Sequence, residues 1–373
     1  QIILSLFGRA TFILYIMQSF SISFIIFMLY KIANILFEDE DTNYIVVILG
    51  ALCFPLIFYV AFVYGLLPGM FLTLVAYYYF IKYTKEKHWY QLVISALSIN
   101  LAILLIGNNL IHLLAIFSVA VIYFIRNKDW KIIAFILSCV FLMSASKSVI
   151  TNYYEVKSQK EIAEGVPKIT WIAMGMQEGE REAGWWNRFN YDIMPEEEYD
   201  EKRITEISKT SMKQRLNVFR DNPKYAFDFY QRKYENQFIE PTFQSLLVTA
   251  PQRNFSNETT LEKIRDFFVK QIYFNHTHTV LEFIMKVFQV FVYLFTFVFA
   301  VVMYKRKNEF FAIIPIAFIG GTLFNMIWEA KSRYIFPYFV FLIPLAAYGL
   351  VIVRNKIKEY KKLKEGKDEK STI

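Results

Sequence analysis

Cysteine is nearly missing from this chain. Cys53 and Cys139 are the two in 373 residues, and both lie inside apolar runs. That pattern excludes a disulfide framework, a CxxC redox pair and a cysteine-ligated metal. Charge is also thin, at 20% Asp, Glu, Lys and Arg, against about 25% in soluble domains. No nucleophile elbow, P-loop, zinc motif or dinucleotide fingerprint occurs, so the familiar soluble enzyme classes have no foothold. Internal repeats and low-complexity tracts are missing too, apart from a Lys-rich tail after Arg354.

What is present in excess is apolar and aromatic. The chain is 55% hydrophobic and 18% aromatic, with 38 Phe and 25 Tyr. Its apolar residues gather into runs longer than a soluble core needs, and a polytopic membrane protein is the class that fits. Nine candidate spans fall at about 11–35, 44–61, 66–83, 90–107, 109–126, 131–148, 280–304, 309–327 and 335–353. The net charge of +8 does not imply nucleic acid, because the basic residues sit at the ends of apolar runs. The organisation expected is an N-terminal membrane region (1–150), a polar extracytoplasmic domain (151–279), a C-terminal membrane region (280–353) and a basic tail (354–373).

Lys and Arg in short loops set the orientation. KYTKEKH (82–88), RNKDWK (126–131), YKRKNE (304–309) and the tail fall on one side, expected to be cytoplasmic. The acidic FEDEDT (37–42) falls there too, weakly against the trend. The outer face then receives FVYGLLPG (62–69), GNNL (107–110), WEAKSRY (328–334) and the long polar segment. Within that segment Ile204, Ile207, Met212, Leu216 and Phe219 follow helical spacing, and Asn222 before Pro223 reads as a cap opening a second helix. Leu261, Ile264, Phe268 and Ile272 mark an amphipathic helix lying on the membrane surface.

WEAKSRY concentrates the chemistry. Glu329, Lys331 and Arg333 stand together at the mouth of a span, where the cost of a charge is moderate. In a continuous helix Glu329 and Arg333 would pair four residues apart. The segment reads either as an interfacial anchor or as a polar site whose Arg333 and Lys331 receive an anionic group such as a lipid phosphate. Tyr64, Gly65 and Gly69, like Asn108 and Asn109, are turn formers first and site walls second. His112 reads as a packing residue. PKITWIAMGMQEGEREAGWWN (167–187) combines a strand-like start with a Trp-rich loop, where Trp185 and Trp186 either stack on a sugar or rest on the headgroup layer. The triplets at Asn254, Asn257 and Asn275 are treated as chance matches to the glycosylation pattern.

With these residues on the page, FGRATFILYIMQSFSISFIIFMLYKIANILF, FVYGLLPG, GNNLIHLLAI and WEAKSRYIFPYF together resemble bacterial membrane glycosyltransferases of the C-type (GT-C) fold, the family 39 or protein-mannosyltransferase-like group. The resemblance implies a GT-C-like helical bundle with a mostly helical extracytoplasmic domain. It further implies transfer of a sugar from a polyprenyl-phosphate donor to an acceptor glycan, lipid or protein at the outer face. No cofactor is required, a divalent metal being the one open addition. Arg333 and Lys331 would hold the lipid phosphate, Glu329 would orient Arg333, and Tyr334, Asn108 and Tyr64 would line the pocket. The general base of that group lies in a loop before the first span seen here, so it is expected upstream of Gln1 in an N-terminally truncated chain. Gly107 stands where the group would place a Lys. Two other classes stay in view: a lipid-linked oligosaccharide polymerase or ligase, and a transporter or flippase, against which the mostly unbroken spans and the lack of a repeat count.

Overall fold

The computed structural model describes residues 12–162, 165–179, 181–197, 199–251, 259–303 and 309–371. The expected first residues of the chain, the loop 304–308, and the triplets at Asn254 and Asn257 lie outside them. Among the described residues every regular element is helical. The chain is an all-α polytopic membrane protein.

The N-terminal helices are α1 (Phe12–Phe37), α2 (Glu40–Leu52), α3 (Phe54–Phe58) with its 3-10 extension Tyr59–Ala61, α4 (Leu66–Glu86), α5 (Trp89–Leu105), α6 (Leu110–Asn127) and α7 (Trp130–Ser158). After the polar segment come α14 (His276–Met303), α15 (Ile313–Ile327), α16 (Ser332–Phe341) and α17 (Ile343–Ser371). Every expected span thus meets a helix. Fewer of them qualify as crossings, however. Among the described residues five helices are long and apolar enough to span a bilayer, or up to seven if each of two bent pairs is one span. α5 is only 17 residues long, and α4 carries Tyr77 to Tyr79, Tyr83 and three charged residues in its second half.

The bent pairs correct the expectation of unbroken spans. α2 and α3 meet at 51°, α16 and α17 at 52°. Both breaks have a local cause. Pro55 occupies the first turn of α3 and Pro344 stands just inside α17, where neither imide can donate back to the preceding helix. Non-helical backbone at membrane depth is tolerated where it is buried in protein or lines a cavity. α16 satisfies the first condition, since Ser332 and Ile335 through Phe341 are buried.

The membrane helices share one apolar core from Ile25 to Ala347. α4 lies against α1 and α5, while α17 lies against α14 and α2. At Gly349 the α17 backbone touches α14 so closely that a Cβ would overlap the Phe295 carbonyl oxygen. The basic tail continues α17 instead of leaving it. At one end of the molecule the loop charges pair off. Lys85 bonds Glu38 at 2.6 Å, Arg126 bonds Glu309 at 2.6 Å, Lys87 meets Asp129 at 3.2 Å, and Arg354 reaches Asp41. The acidic FEDEDT loop therefore belongs beside the basic loops as their counter-charge.

The polar segment holds α8 (Lys168–Gly175), α9 (Phe189–Glu196), α10 (Glu201–Asp221), α11 (Pro223–Glu235), α12 (Ser245–Thr249) and α13 (Thr260–Tyr273). Residues 168–175, expected to start as a strand, are helical because one face of that turn, with Thr170, Ala173 and Met174 buried, packs on α10. The Thr170 and Ser208 hydroxyls meet there at 3.0 Å. Asn222 caps α11 as its sequence suggests, its Oδ1 accepting from the Tyr225 N–H at 3.1 Å. A second small core joins Met176, Ala183, Phe219 and Phe229. Leu216, expected on the inner face of α10, is 54% exposed. Filling the close approach at residue 349 should cost about 1–3 kcal/mol through overpacking. Gly349→Ala is therefore expected to lower the melting temperature in detergent, whereas Gly107→Ala, with nothing within 4 Å of the new methyl, should leave it unchanged.

Candidate functional site

At the end opposite the paired loops, FVYGLLPG, GNNL and WEAKSRY come together around a cavity of about 290 Å³. Glycine makes the first two meet. A Cβ at Gly65 would lie 2.8 Å from the Leu105 carbonyl, and one at Gly69 would lie 2.9 Å from Asn109 Nδ2. Asn109 in turn donates 2.8 Å to the Ala102 carbonyl, fixing the 3-10 turn Gly107–Asn109. Both bent helix pairs end here, α3 through Phe62 and Tyr64, α16 through Arg333, Tyr334, Pro337 and Tyr338.

Trp328 ends α15 in an extended conformation, and Lys331 is extended as it caps α16. The backbone between them is recruited by the polar segment. The Ala330 N–H donates 3.1 Å to the Gly184 carbonyl, and Gly175 sits so close that a Cβ would overlap the Trp328 carbonyl. The helical pairing of Glu329 with Arg333 therefore does not form. Glu329, 3% exposed, instead accepts from the Tyr334 hydroxyl at 2.7 Å and the Trp186 N–H at 3.1 Å, and pairs with Lys331. A buried carboxylate is tolerable when its charge and lone pairs are answered in this way.

Arg333 is left differently. It lines the cavity and makes no ion pair among the described residues. Its guanidinium lies 5.5 Å from the Phe62 ring centre and 5.4 Å from that of Tyr334 and also interacts with the Tyr334 hydroxyl, which leaves part of its five-donor fork for a ligand. Opposite it stand aromatic walls. Trp171 stacks on Trp328 at 6.4 Å and 12°, and Trp328 on Phe324 at 5.3 Å. His112 stacks on Tyr338 at 4.6 Å, and its Nδ1 is 2.7 Å from the Tyr77 hydroxyl, so its packing role holds although its ring also lines the cavity.

Of the residues singled out in the sequence, Arg333, Glu329, Tyr334, Asn108 and Tyr64 line this cavity. Lys331 does not. Its ammonium is turned to Glu329 and lies 5.6 Å over the Trp185 ring. Trp185 faces a separate cavity, and Trp186 is 41% exposed, edge-on to Tyr191. Among the described residues no group of three His, Cys, Asp or Glu side chains could hold a metal ion.

Lys233 escaped the sequence reading. It is fully buried on α11, donates to the Gly175 carbonyl, and fills a slot so narrow that a Cβ at Gly184 would meet its Cε at 2.6 Å. Burial pulls its ammonium down from 10.5 to about 7, with Glu329 opposing that shift. The available signal was a lysine four residues beyond Phe229, on the apolar face of an amphipathic helix.

A family model described as "conserved hypothetical integral membrane protein" matches residues 10–351, and the chain belongs to that family. No curated protein and no solved structure matches it.

Two measurements follow from this geometry. Glu329→Ala strands a buried partner set and should cost about 3–5 kcal/mol, with faster amide exchange at Trp186; unchanged exchange there would remove Glu329 as the fastener of the Trp loop. The second concerns pH. Because the folded pKa of Lys233 is lowered to about 7 from 10.5, the unfolded chain binds the extra proton between those values, and stability rises with pH across that window. Below pH 7 the penalty is complete. Lys233→Met should therefore flatten the wild-type rise in denaturation midpoint between pH 7 and 10.

Proposed function

We propose that this protein binds a polyprenyl-phosphate-linked sugar at the Arg333 cavity and transfers the sugar to an acceptor as an integral-membrane glycosyltransferase. One observation carries the reading: a guanidinium without an ion-pair partner among the described residues, set in a cavity of about 290 Å³ whose other walls are largely aromatic and apolar, with the Asn108 and Asn109 amides and the already paired Glu329. Such a fork suits a phosphate, and a fixed cation where the lipid phosphate departs stabilises the charge that develops there. Trp171, Trp328 and Tyr338 offer flat faces to a sugar ring or isoprenoid. Three of the four stretches that carry the GT-C resemblance, FVYGLLPG, GNNLIHLLAI and WEAKSRYIFPYF, contribute to the lining of the cavity.

Among the described residues Glu329 is the one carboxylate lining that cavity. Its three donors make it a holder of Tyr334 and Lys331 rather than a base. The reading assigns removal of the acceptor proton to a residue outside the described ones, as the resemblance implies. Lys331, tied to Glu329, reaches the donor only through that pair.

A second reading has its own support. Broken helices converging on a site are a transporter feature, and both bent pairs end at this cavity. Reconstitution of the protein with a radiolabelled polyprenyl-phosphate sugar separates the two. Arg333→Ala should lower covalent transfer by about 100-fold or more at unchanged expression and membrane insertion, with Arg333→Lys intermediate. Label that crosses the bilayer still attached to its carrier, with no product formed, would favour the transporter.

A further inference from the structure

Behind the Glu329–Lys331 pair lies a second cavity of about 310 Å³. Trp185 forms the dividing wall, its ring lining this cavity while the Lys331 ammonium lies over it. Thr242 and Gln244 contribute from the loop that follows α11. Tyr273 comes from the end of α13, and His278 and Glu282 from the first turns of α14.

The two cavities differ in charge. Among the described residues, the first holds a cation without an ion-pair partner, and the lining of the second has no Lys or Arg and carries the carboxylates Glu240 and Glu282. Glu240 is committed to the fold, accepting from the Thr242 N–H at 3.0 Å, the Ser332 hydroxyl at 3.1 Å, the Thr242 hydroxyl and the Gln244 N–H. The Glu282 side chain is 43% exposed, and its partner among the described residues is His278 Nε2 at 3.3 Å, an ion pair when the imidazole is protonated. His278 Nδ1 donates to the Ile272 carbonyl at 2.8 Å. Trp185 Nε1 is buried without a hydrogen-bond partner among the described residues, a state that carries a desolvation cost until an acceptor arrives.

An anion is repelled by this lining, and a purely apolar guest would leave its polar groups unanswered. An aromatic face beside a carboxylate, an imidazole and an indole N–H suits a neutral ring that is apolar on one face and rich in hydroxyls at its edge. Hydroxyls donating to Glu282 make charge-assisted bonds, and a ring oxygen or hydroxyl can accept from Trp185. We infer that the second cavity is a saccharide-binding site. Its designation as the acceptor site rests on the transferase reading above; its binding of sugar does not.

The setting also bears on where the sugar comes from. α13 turns its apolar residues outward, with Leu261 79%, Phe267 58% and Phe268 59% exposed, while Asp266 is buried at 3%. That reversed amphipathic helix leads directly into the apolar α14, as expected of a segment resting on the bilayer surface. The cavity therefore opens where the sugar headgroup of a membrane lipid and a free saccharide both have access.

The full chain in nanodiscs, without any polyprenyl phosphate, tests the assignment by saturation-transfer NMR and equilibrium binding. One arm uses neutral methyl glycosides of glucose, mannose and N-acetylglucosamine. The other uses monoglucosyl diacylglycerol built into the disc, against phosphatidylglycerol alone. Saturable binding is expected, weakened at least about tenfold by Glu282→Gln and by Trp185→Phe, and retained in Arg333→Ala even where transfer is lost. Binding in the glycolipid arm alone makes the source a headgroup; binding in both admits free saccharide. No binding in either arm, wild-type affinity in Glu282→Gln, or loss of binding in Arg333→Ala would overturn the second site. None of these results depends on whether transfer occurs.

Discussion

A single buried carboxylate organises the functional end of this protein. Glu329 draws one donor from its own strand of backbone neighbours, Lys331, one from the following helix, Tyr334, and one from the distant Trp loop, the Trp186 N–H. Such a group cannot be left half-satisfied in a low-dielectric setting. Everything near it is arranged accordingly. The extended stretch after α15, the start of α16 and the docking of the polar segment all answer the demand of the same two oxygen atoms.

The arrangement also sorts charge along the molecule. At one end the loop cations are answered by acids, among them Lys85 by Glu38 and Arg354 by Asp41. These are partly exposed pairs that contribute little to stability individually. At the other end Lys331 is neutralised and Arg333 is not. The two differ because Glu329 and Lys331, two apart along an extended stretch, share a face, whereas a continuous helix would have brought Glu329 to Arg333. That local change of backbone separates a structural cation from a ligand-seeking one.

Much of the fold was legible from composition and spacing. The apolar runs locate the membrane helices, and Asn222 with Pro223 announces a helix start that the structure contains. The gathering of FVYGLLPG, GNNL and WEAKSRY at one end follows from counting spans. What could not be read depended on partners remote in sequence. Helical spacing suggested a Glu329–Arg333 pair, and only the claim of Gly184 on the Ala330 N–H shows why the helix stops. Trp171 joins the cavity wall because Gly175 lets α8 approach Trp328. The helix breaks, by contrast, had a visible signal in Pro55 and Pro344; runs of apolar residues on either side masked it.

The contact between Gly175 and the Trp328 carbonyl carries an implication for biogenesis. The ribosome delivers Gly175 and Gly184 well before Trp328 and Ala330 exist, and the bond from Trp186 to Glu329 spans 143 residues. Until α15 and α16 are in place, the Trp loop has no seat and the slot around Lys233 has one side open. The polar segment must therefore wait, exposed and partly assembled, for the last helices of the chain to arrive. Long-range closures of this kind are slow and leave intermediates open to proteolysis. Quality control in the cell would accordingly sense the insertion of the final spans through the state of a loop made much earlier.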